Sequence, residues 1–230
     1  MRARAPSFAA LVLTCACAVL SGCASDDHPP DFDDPELPGR SANPEGVAYP
    51  TDSLGGVERG SNRPGQRIPN FTFQAYVNGD RSKGLQTISL ADFFDPEQKH
   101  HKVLDIQISQ VWCTICSVET TSTSQVIAQL TSEGAVFLQV MTSGADASRG
   151  PSLGEANDWV DRHDMTYTLA LDVRGRRMST LGVSTVPWDI LIDTRTMEIL
   201  DSSAGAPSDV EKYVRDGLQW VATHPPSYAP

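Results

Sequence analysis

Val103-Leu104-Asp105-Ile106-Gln107-Ile108 leads through Ser109-Gln110-Val111 into Trp112-Cys113-Thr114-Ile115-Cys116, and that junction decides how the rest of the chain is read. The first run is apolar and β-branched, which predicts a strand. A strand feeding a C-x-x-C predicts a dithiol site at a helix start. Two cysteines separated by two residues across the first turn of a helix bring their sulfurs close enough to bridge. At that helix start, the unpaired N–H groups and the macrodipole favour a thiolate over a thiol. The thiolate is the form that attacks a disulfide, so Cys113 is the expected nucleophile and Cys116 the resolving partner.

The cysteine count sharpens this reading. Five cysteines are present, and three of them, Cys15, Cys17 and Cys23, precede residue 24. One short-loop pair in the body closes little chain, so a structural disulfide framework explains it poorly and redox work explains it better. The competing explanation is a structural metal site. Zinc wants four ligands, though, and no second C-x-x-C or H-x-x-x-H is present. His100 and His101 stand among Glu97, Lys99 and Lys102 and read as a solvated turn rather than ligands. No metal and no cofactor are expected.

Residues 1–23 read as an export signal, with Arg2 and Arg4 as a basic start and Phe8 to Leu20 almost continuously apolar. The run is too short to span a bilayer comfortably. It ends in Leu20-Ser21-Gly22-Cys23, which resembles the bacterial lipobox and makes Cys23 the expected lipidation site and first residue of the mature chain. Acyl chains there supply the multiple-chain anchorage that stable membrane retention needs. Ala24 follows rather than an aspartate, which points to the outer membrane over the inner, with the protein facing the periplasm. Residues 24–66 read as a disordered acidic, proline-rich tether, with Pro29, Pro30, Pro35, Pro38, Pro44, Pro50 and Pro64 among Asp26, Asp27, Asp31, Asp33, Asp34 and Glu36. Such a tether would reach on the order of 100 Å. Removing the signal takes the formal charge from −11 to −13, which makes nucleic acid a poor partner.

Residues 67–230 suffice for one domain with its own core. Phe71 to Tyr76 alternates like a strand, Asn78-Gly79 is a turn signal, and Leu85 to Ile88 reads as the returning strand of a hairpin. Ser89 to Phe94 reads as a short capped helix. After the C-x-x-C, Val118, Val126, Ile127 and Leu130 have roughly helical spacing, against a run of poor helix formers from Thr120 to Ser124. Ala135 to Met141 and Thr168 to Asp172 read as strands, with a helix from Leu153 to Arg162 between them. Arg176 to Leu181 predicts a short helix. Ile190 to Asp193 and Met197 to Leu200 predict two strands, and Ser208 to Thr223 a terminal helix capped by Ser208. This alternation predicts an α/β layer fold.

Over residues 66 to 222 the chain resembles the thioredoxin-like superfamily, and within it the redoxin branch of bacterial envelope thiol-disulfide oxidoreductases. Four pieces carry the resemblance: Pro69-Asn70-Phe71 with Leu90 and Phe93-Phe94; Trp112-Cys113-Thr114-Ile115-Cys116; Trp159 with His163 and Asp172; and Gly182-Val183-Ser184-Thr185-Val186-Pro187 followed by Ile190-Leu191-Ile192-Asp193. The resemblance implies a thioredoxin-like fold, a central mixed β-sheet flanked by helices with an N-terminal β-hairpin extension. It also implies a cis Pro187 packed against the dithiol, with Trp112 and the Val186 backbone meeting a substrate strand. The implied activity is disulfide exchange with protein thiol or disulfide substrates and a redox partner protein, on a membrane-anchored enzyme.

The chain departs from the family in places. Thr114-Ile115 stands where a proline-containing pair is common, so the direction of electron flow stays open. Trp188 is bulkier than the usual residue after the cis-proline. Gln107 occupies the position where thioredoxins keep a buried acid, and strand alternation puts Asp105 on the same face. Asp105 is therefore the proton-relay candidate, although the plainer reading is a strand-start aspartate in water. His163 reads as a surface residue at a helix end. A peroxiredoxin is a rival, but Ser109-Gln110-Val111-Trp112 lacks that family's Pro-x-x-x-Thr-x-x-Cys frame. A copper-delivery protein would use C-x-x-x-C, one residue longer than here. A catalytically idle binding redoxin is disfavoured by the intact C-x-x-C with Pro187.

Overall fold

The computed structural model describes residues 32–52 and 64–227, so the expected signal segment, Cys23 and residues 24–31 of the expected tether lie outside the described residues. Seven strands form from the apolar and β-branched runs: β1 (Thr72–Tyr76), β2 (Gln86–Ser89), β3 (Val103–Gln110), β4 (Ala135–Ser143), β5 (Thr168–Leu171), β6 (Trp188–Asp193) and β7 (Glu198–Ala204). They make one sheet in the order β2-β1-β5-β4-β3-β6-β7. Strands β3, β4 and β5 are parallel, and the rest join antiparallel. With α1 (Thr114–Glu133), α2 (Leu153–Arg162) and α3 (Val210–Thr223), this is the α/β architecture expected. The β1–β2 pair is the expected hairpin, turning through Asn78 at φ 54.

Strand β3 is central, paired on one side with β4 and on the other with β6. Its side chains alternate between two cores. Leu104, Ile106 and Ile108 enter one core with Phe73, Leu138, Ile190 and Met178. Val103 enters the other, with Phe137, Leu191 and the buried faces of all three α-helices. Asp105 and Gln107 share the parity of Val103, so the helix-bearing face of the sheet has polar groups at its centre.

The long helix α1 forms despite its threonines and serines, whose hydroxyls fold back onto carbonyls of the preceding turn, while its apolar face packs into the core. Thr120 Oγ1 donates to the Cys116 carbonyl at 2.8 Å, Thr121 to Ser117 and Ser122 to Val118, each at 3.0 Å. Gly134, at φ 107, ends the helix in the left-handed conformation. On α3, Gly217 lets the helix approach the sheet closely, since a Cβ there would stand 2.4 Å from a Leu191 methyl.

The opposite face carries none of the α-helices' buried residues. Short turns around Leu90–Phe93 and Met178–Leu181 cover it, together with residues of the expected tether. This corrects the domain boundary. The Phe32 N–H bonds the Pro151 carbonyl at 2.9 Å, Asn43 Nδ2 donates to the Phe94 carbonyl at 3.0 Å, and the Tyr49 hydroxyl to the Ile68 carbonyl at 2.6 Å. Tyr49 is buried with its ring edge-on to Phe94, and the Asp34 side chain is 3% exposed between Arg176 and Arg177. Residues 65–67 pair along Glu198–Ile199 of β7. Proline and acidic content suggested a solvated chain, but Phe32, Asp34, Asn43 and Tyr49 each have a specific seat on the domain.

Candidate active site

Cys113 is the N-cap of α1, and its Sγ accepts the Cys116 N–H at 3.1 Å. The two cysteines are joined as a disulfide with Cα atoms 5.2 Å apart. Cys116 is fully buried, and Cys113 keeps 5% exposure. The placement follows from the strand before it: β3 ends at Gln110, Val111 N–H bonds the Ser143 carbonyl, and Cys113 N–H bonds the Gln110 carbonyl, so the chain turns directly into α1. Trp112 lies about half exposed over this turn, with Nε1 donating to Ser143 Oγ at 3.2 Å. Ile115 and Val118 are exposed on the first turns of α1, so the dithiol has an apolar rim.

The Val186–Pro187 bond is cis, as the resemblance implies. Val186 packs against the core that contains both cysteines, and it shares a groove of about 380 Å³ with Trp112. Pro187 feeds β6 and its carbonyl accepts Gly205 N–H. Trp188 is half-buried, pairs in register with Ile108 and donates Nε1 to Ser202.

Beneath the dithiol lies a polar layer. Gln107 Nε2 donates to Asp105 Oδ2 at 3.1 Å and to Thr123 Oγ1 at 2.9 Å. Gln139 Nε2 donates to Thr120 at 2.6 Å and its carbonyl accepts Trp159 Nε1 at 3.1 Å, which ties the Cys116 turn of α1 to β4 and α2. Three carboxyls close on this layer: Asp105 from β3, Glu119 from α1 and Asp189 from β6. All are buried, and among the described residues no N–H or hydroxyl donates to Glu119 or Asp189. Burial raises each above the ordinary carboxyl range, Asp105 to about 8 with the Glu119 charge adding to it, and Glu119 to about 7. Asp189 is raised well above, by burial first and then by Asp105 and Glu119. The Glu119–Asp189 hydrogen bond exists only when one of the pair holds a proton to donate. Such a pair can take a proton and return it near neutral pH.

Two expectations change here. Asp105, read as a strand-start residue in water, is fully buried, because β3 is an interior strand with neighbours on both edges. His163, read as a surface residue, is buried at the α2 C-terminus, its ring 4.5 Å from Trp159. Thr121 Oγ1 lies 2.9 Å from one of its ring nitrogens and Ser117 Oγ 3.3 Å from the other. Burial, then Arg162, lowers its pKa, so it sits as a neutral clamp between α1 and α2. Glu119 and Asp189 were missed altogether. Glu119 follows Cys116 by three residues, which is one helix face, and Asp189 interrupts an apolar strand; both signals stood in the sequence. Among the described residues, no three His, Cys, Asp or Glu side chains gather as a metal-binding group, and no helix is long and apolar enough to cross a membrane.

The family model described as AhpC/TSA family matches residues 64–202, more than half of the chain. The chain belongs to the AhpC/TSA family. Its fold is thioredoxin-like. This AhpC/TSA member superposes on a Chlorobium tepidum structure described as a thiol:disulfide interchange protein DsbE with a TM-score of 0.54 and 19% identity, covering 69% of this chain and 97% of that one. Mycobacterium tuberculosis AhpC gives 0.52 and 17%, covering 70% and 93%. A reduced 2-Cys peroxiredoxin of Plasmodium vivax gives 0.55 and 13%, covering 72% and 88%. At these identities the likeness is one of fold. Among curated proteins, none matches the sequence. The family membership places the chemistry of this chain in thiol oxidoreduction.

Proposed function

We propose that this AhpC/TSA member is a thiol-disulfide oxidoreductase working through Cys113 and Cys116. The observation that supports this best is the pairing of the two cysteines with each other at the start of α1, one at the rim and one beneath it. In the reducing direction, the Cys113 thiolate attacks a substrate disulfide, forming a Cys113–substrate disulfide and expelling one substrate thiolate, which takes a proton from water. Cys116 loses its proton to the Glu119–Asp189 pair, with Asp105 behind it, and attacks Cys113 Sγ. The second substrate thiolate leaves and the Cys113–Cys116 disulfide forms. The reverse sequence oxidises a substrate dithiol with the same groups, and a redox partner protein restores the starting state.

The decisive experiment is trapping. Cys116→Ser should accumulate a mixed disulfide with an oxidised protein substrate through Cys113, and Cys113→Ser should not; trapping through Cys116, or none at all, removes this reading. A peroxidase is the second reading, favoured by the family match. Turnover of hydrogen peroxide far faster than of any protein disulfide would establish it in place of the first. Copper delivery requires tight copper binding by the reduced pair, which titration of the reduced protein with Cu(I) measures.

We also propose attachment to the cell envelope by lipid at Cys23, facing the periplasm. With Phe32 seated on the domain, the eight residues from Ala24 to Asp31 span at most about 28 Å. The dithiol then works close to its membrane, not at the reach of a free tether. Cys23→Ser should move the protein from the membrane fraction to the soluble one.

A further inference from the structure

A groove of about 340 Å³ lies on the Ile115 side of the dithiol, between α1 and residues 206–211, which lead into α3. Ile115 stands between the two cysteines in sequence and Val118 follows within one turn, both exposed, so the groove opens at the dithiol rim. Glu119, Asp209 and Glu211 line it, and none of its described lining residues is a lysine or an arginine.

These acids keep a net negative charge after their own partners are counted. Asp209 accepts the Lys212 N–H as the N-cap of α3, a bond to a neutral backbone group, while the Lys212 ammonium is turned along the helix to Asp216. Glu211 pairs with Arg215, but that guanidinium also bonds both oxygens of Glu133, so two carboxylates divide one cation. The starts of α1 and α3 oppose the acids with only about half a charge each, spread over several N–H groups. Glu119 belongs to the groove wall at 3% exposure, and among the described residues no N–H or hydroxyl donates to its carboxyl. A cation seated in the groove is the counter-charge that the fold leaves out.

We propose that this groove takes a cationic side chain, lysine or arginine, from a residue flanking the attacked cysteine of the substrate. Ile115 and Val118 at the mouth cover the methylene stem of such a side chain, and its charged head meets the acids beyond them. This rests on the thiol-disulfide reading, and it names the chemical class that the site prefers.

The test uses one fluorogenic disulfide peptide in versions with Lys, Gln or Glu at positions flanking the cysteine, each measured as kcat/KM. The expected order is Lys, then Gln, then Glu, with roughly three- to fivefold between the extremes, the scale of one exposed ion pair. The spread should shrink in about 0.5 M salt. A chain of net charge −11 attracts cationic peptides over its whole surface, so the variants separate the groove from the average. Gln125→Lys and Ser122→Lys each place a cation on the groove lining, whereas Ser132→Lys adds the same charge at the exposed far end of α1, outside it. The two groove variants should collapse the order and Ser132→Lys should keep it; ratios are taken within each protein, and circular dichroism verifies that all three are folded. Equal turnover of all peptides by the wild type, an order unchanged in both groove variants, or an order altered as much by Ser132→Lys overturns the proposal while leaving disulfide exchange standing. Absence of turnover with every peptide overturns the thiol-disulfide reading itself.

Discussion

The Glu119 carboxyl of α1 stands against the Asp189 carboxyl of β6, and among the described residues no N–H or hydroxyl bonds either one. Two unsatisfied carboxylates at such close quarters repel, so the pair holds a proton near neutral pH. Glu119 is also three residues from Cys116 on the buried face of the helix, which puts the acceptor beside the thiol that must be deprotonated.

Glu119→Gln should therefore slow resolution by Cys116 about 10²-fold, the scale of a lost general base. Mixed disulfides through Cys113 should persist, read by rapid acid quench and mass spectrometry. Glu119 must be ionised to accept, so the wild-type resolution rate should rise with pH through about 7, where Glu119 titrates; in the variant that rise should be absent. An unchanged pH profile would assign the proton to another group.

Much of this was legible in the sequence, for physical reasons. The alternation in β1, the apolar runs of β3 and β6, the C-x-x-C at a strand end and the turn at Asn78 are local signals, and the elements formed where they pointed. The Ser89 capping box with Asp92 likewise formed. At α3 the cap moved by one residue to Asp209, because both Ser208 and Asp209 can fill that place and the carboxylate took the Lys212 N–H. What stayed hidden is non-local. The seats of Asp34 and Tyr49 depend on Arg177 and Ile68, at sequence separations of 143 and 19, and composition alone assigned that stretch to solvent. Asp105 faces Glu119 only after β3, β6 and α1 are assembled, so no window around Asp105 reveals its burial.

Asp105 makes stability depend on pH. Burial pushes its carboxyl up to about 8 in the folded chain, against 3.8 for an unperturbed aspartate. Between those values the folded state keeps a proton that the unfolded state has lost, so stability falls as pH rises, by about 1.4 kcal/mol per pH unit for one such group. The contribution is complete below about pH 4 and gone above about 8. Asp105→Asn should flatten that slope, leaving the variant relatively more stable at pH 8 than at pH 5, as read by urea unfolding. Parallel pH dependence in the two proteins would show that Asp105 is ionised in the fold.

The two thiols should differ in reactivity once reduced. Cys113 caps the helix, where the free N–H groups and the dipole favour its thiolate, and it alone keeps a trace of exposure. Iodoacetamide at neutral pH should label Cys113 at least about tenfold faster than Cys116 by peptide mapping. Preferential labelling of Cys116 would exchange their roles.

Asp34 tests whether residues 32–52 belong to the domain. Its side chain is 3% exposed and meets Arg177 at 2.6 Å and Arg176 at 3.1 Å, and Arg177 in turn bonds Asp172 and lies over the Phe73 ring. Removing one member of such a buried network leaves a guanidinium short of its counter-charge, although Asp172 still answers part of it. Asp34→Ala should therefore cost about 2–4 kcal/mol of stability, measured by denaturant unfolding, and should speed proteolytic cleavage between residues 32 and 52. Unchanged stability together with unchanged cleavage would return this stretch to the free tether that its composition suggests.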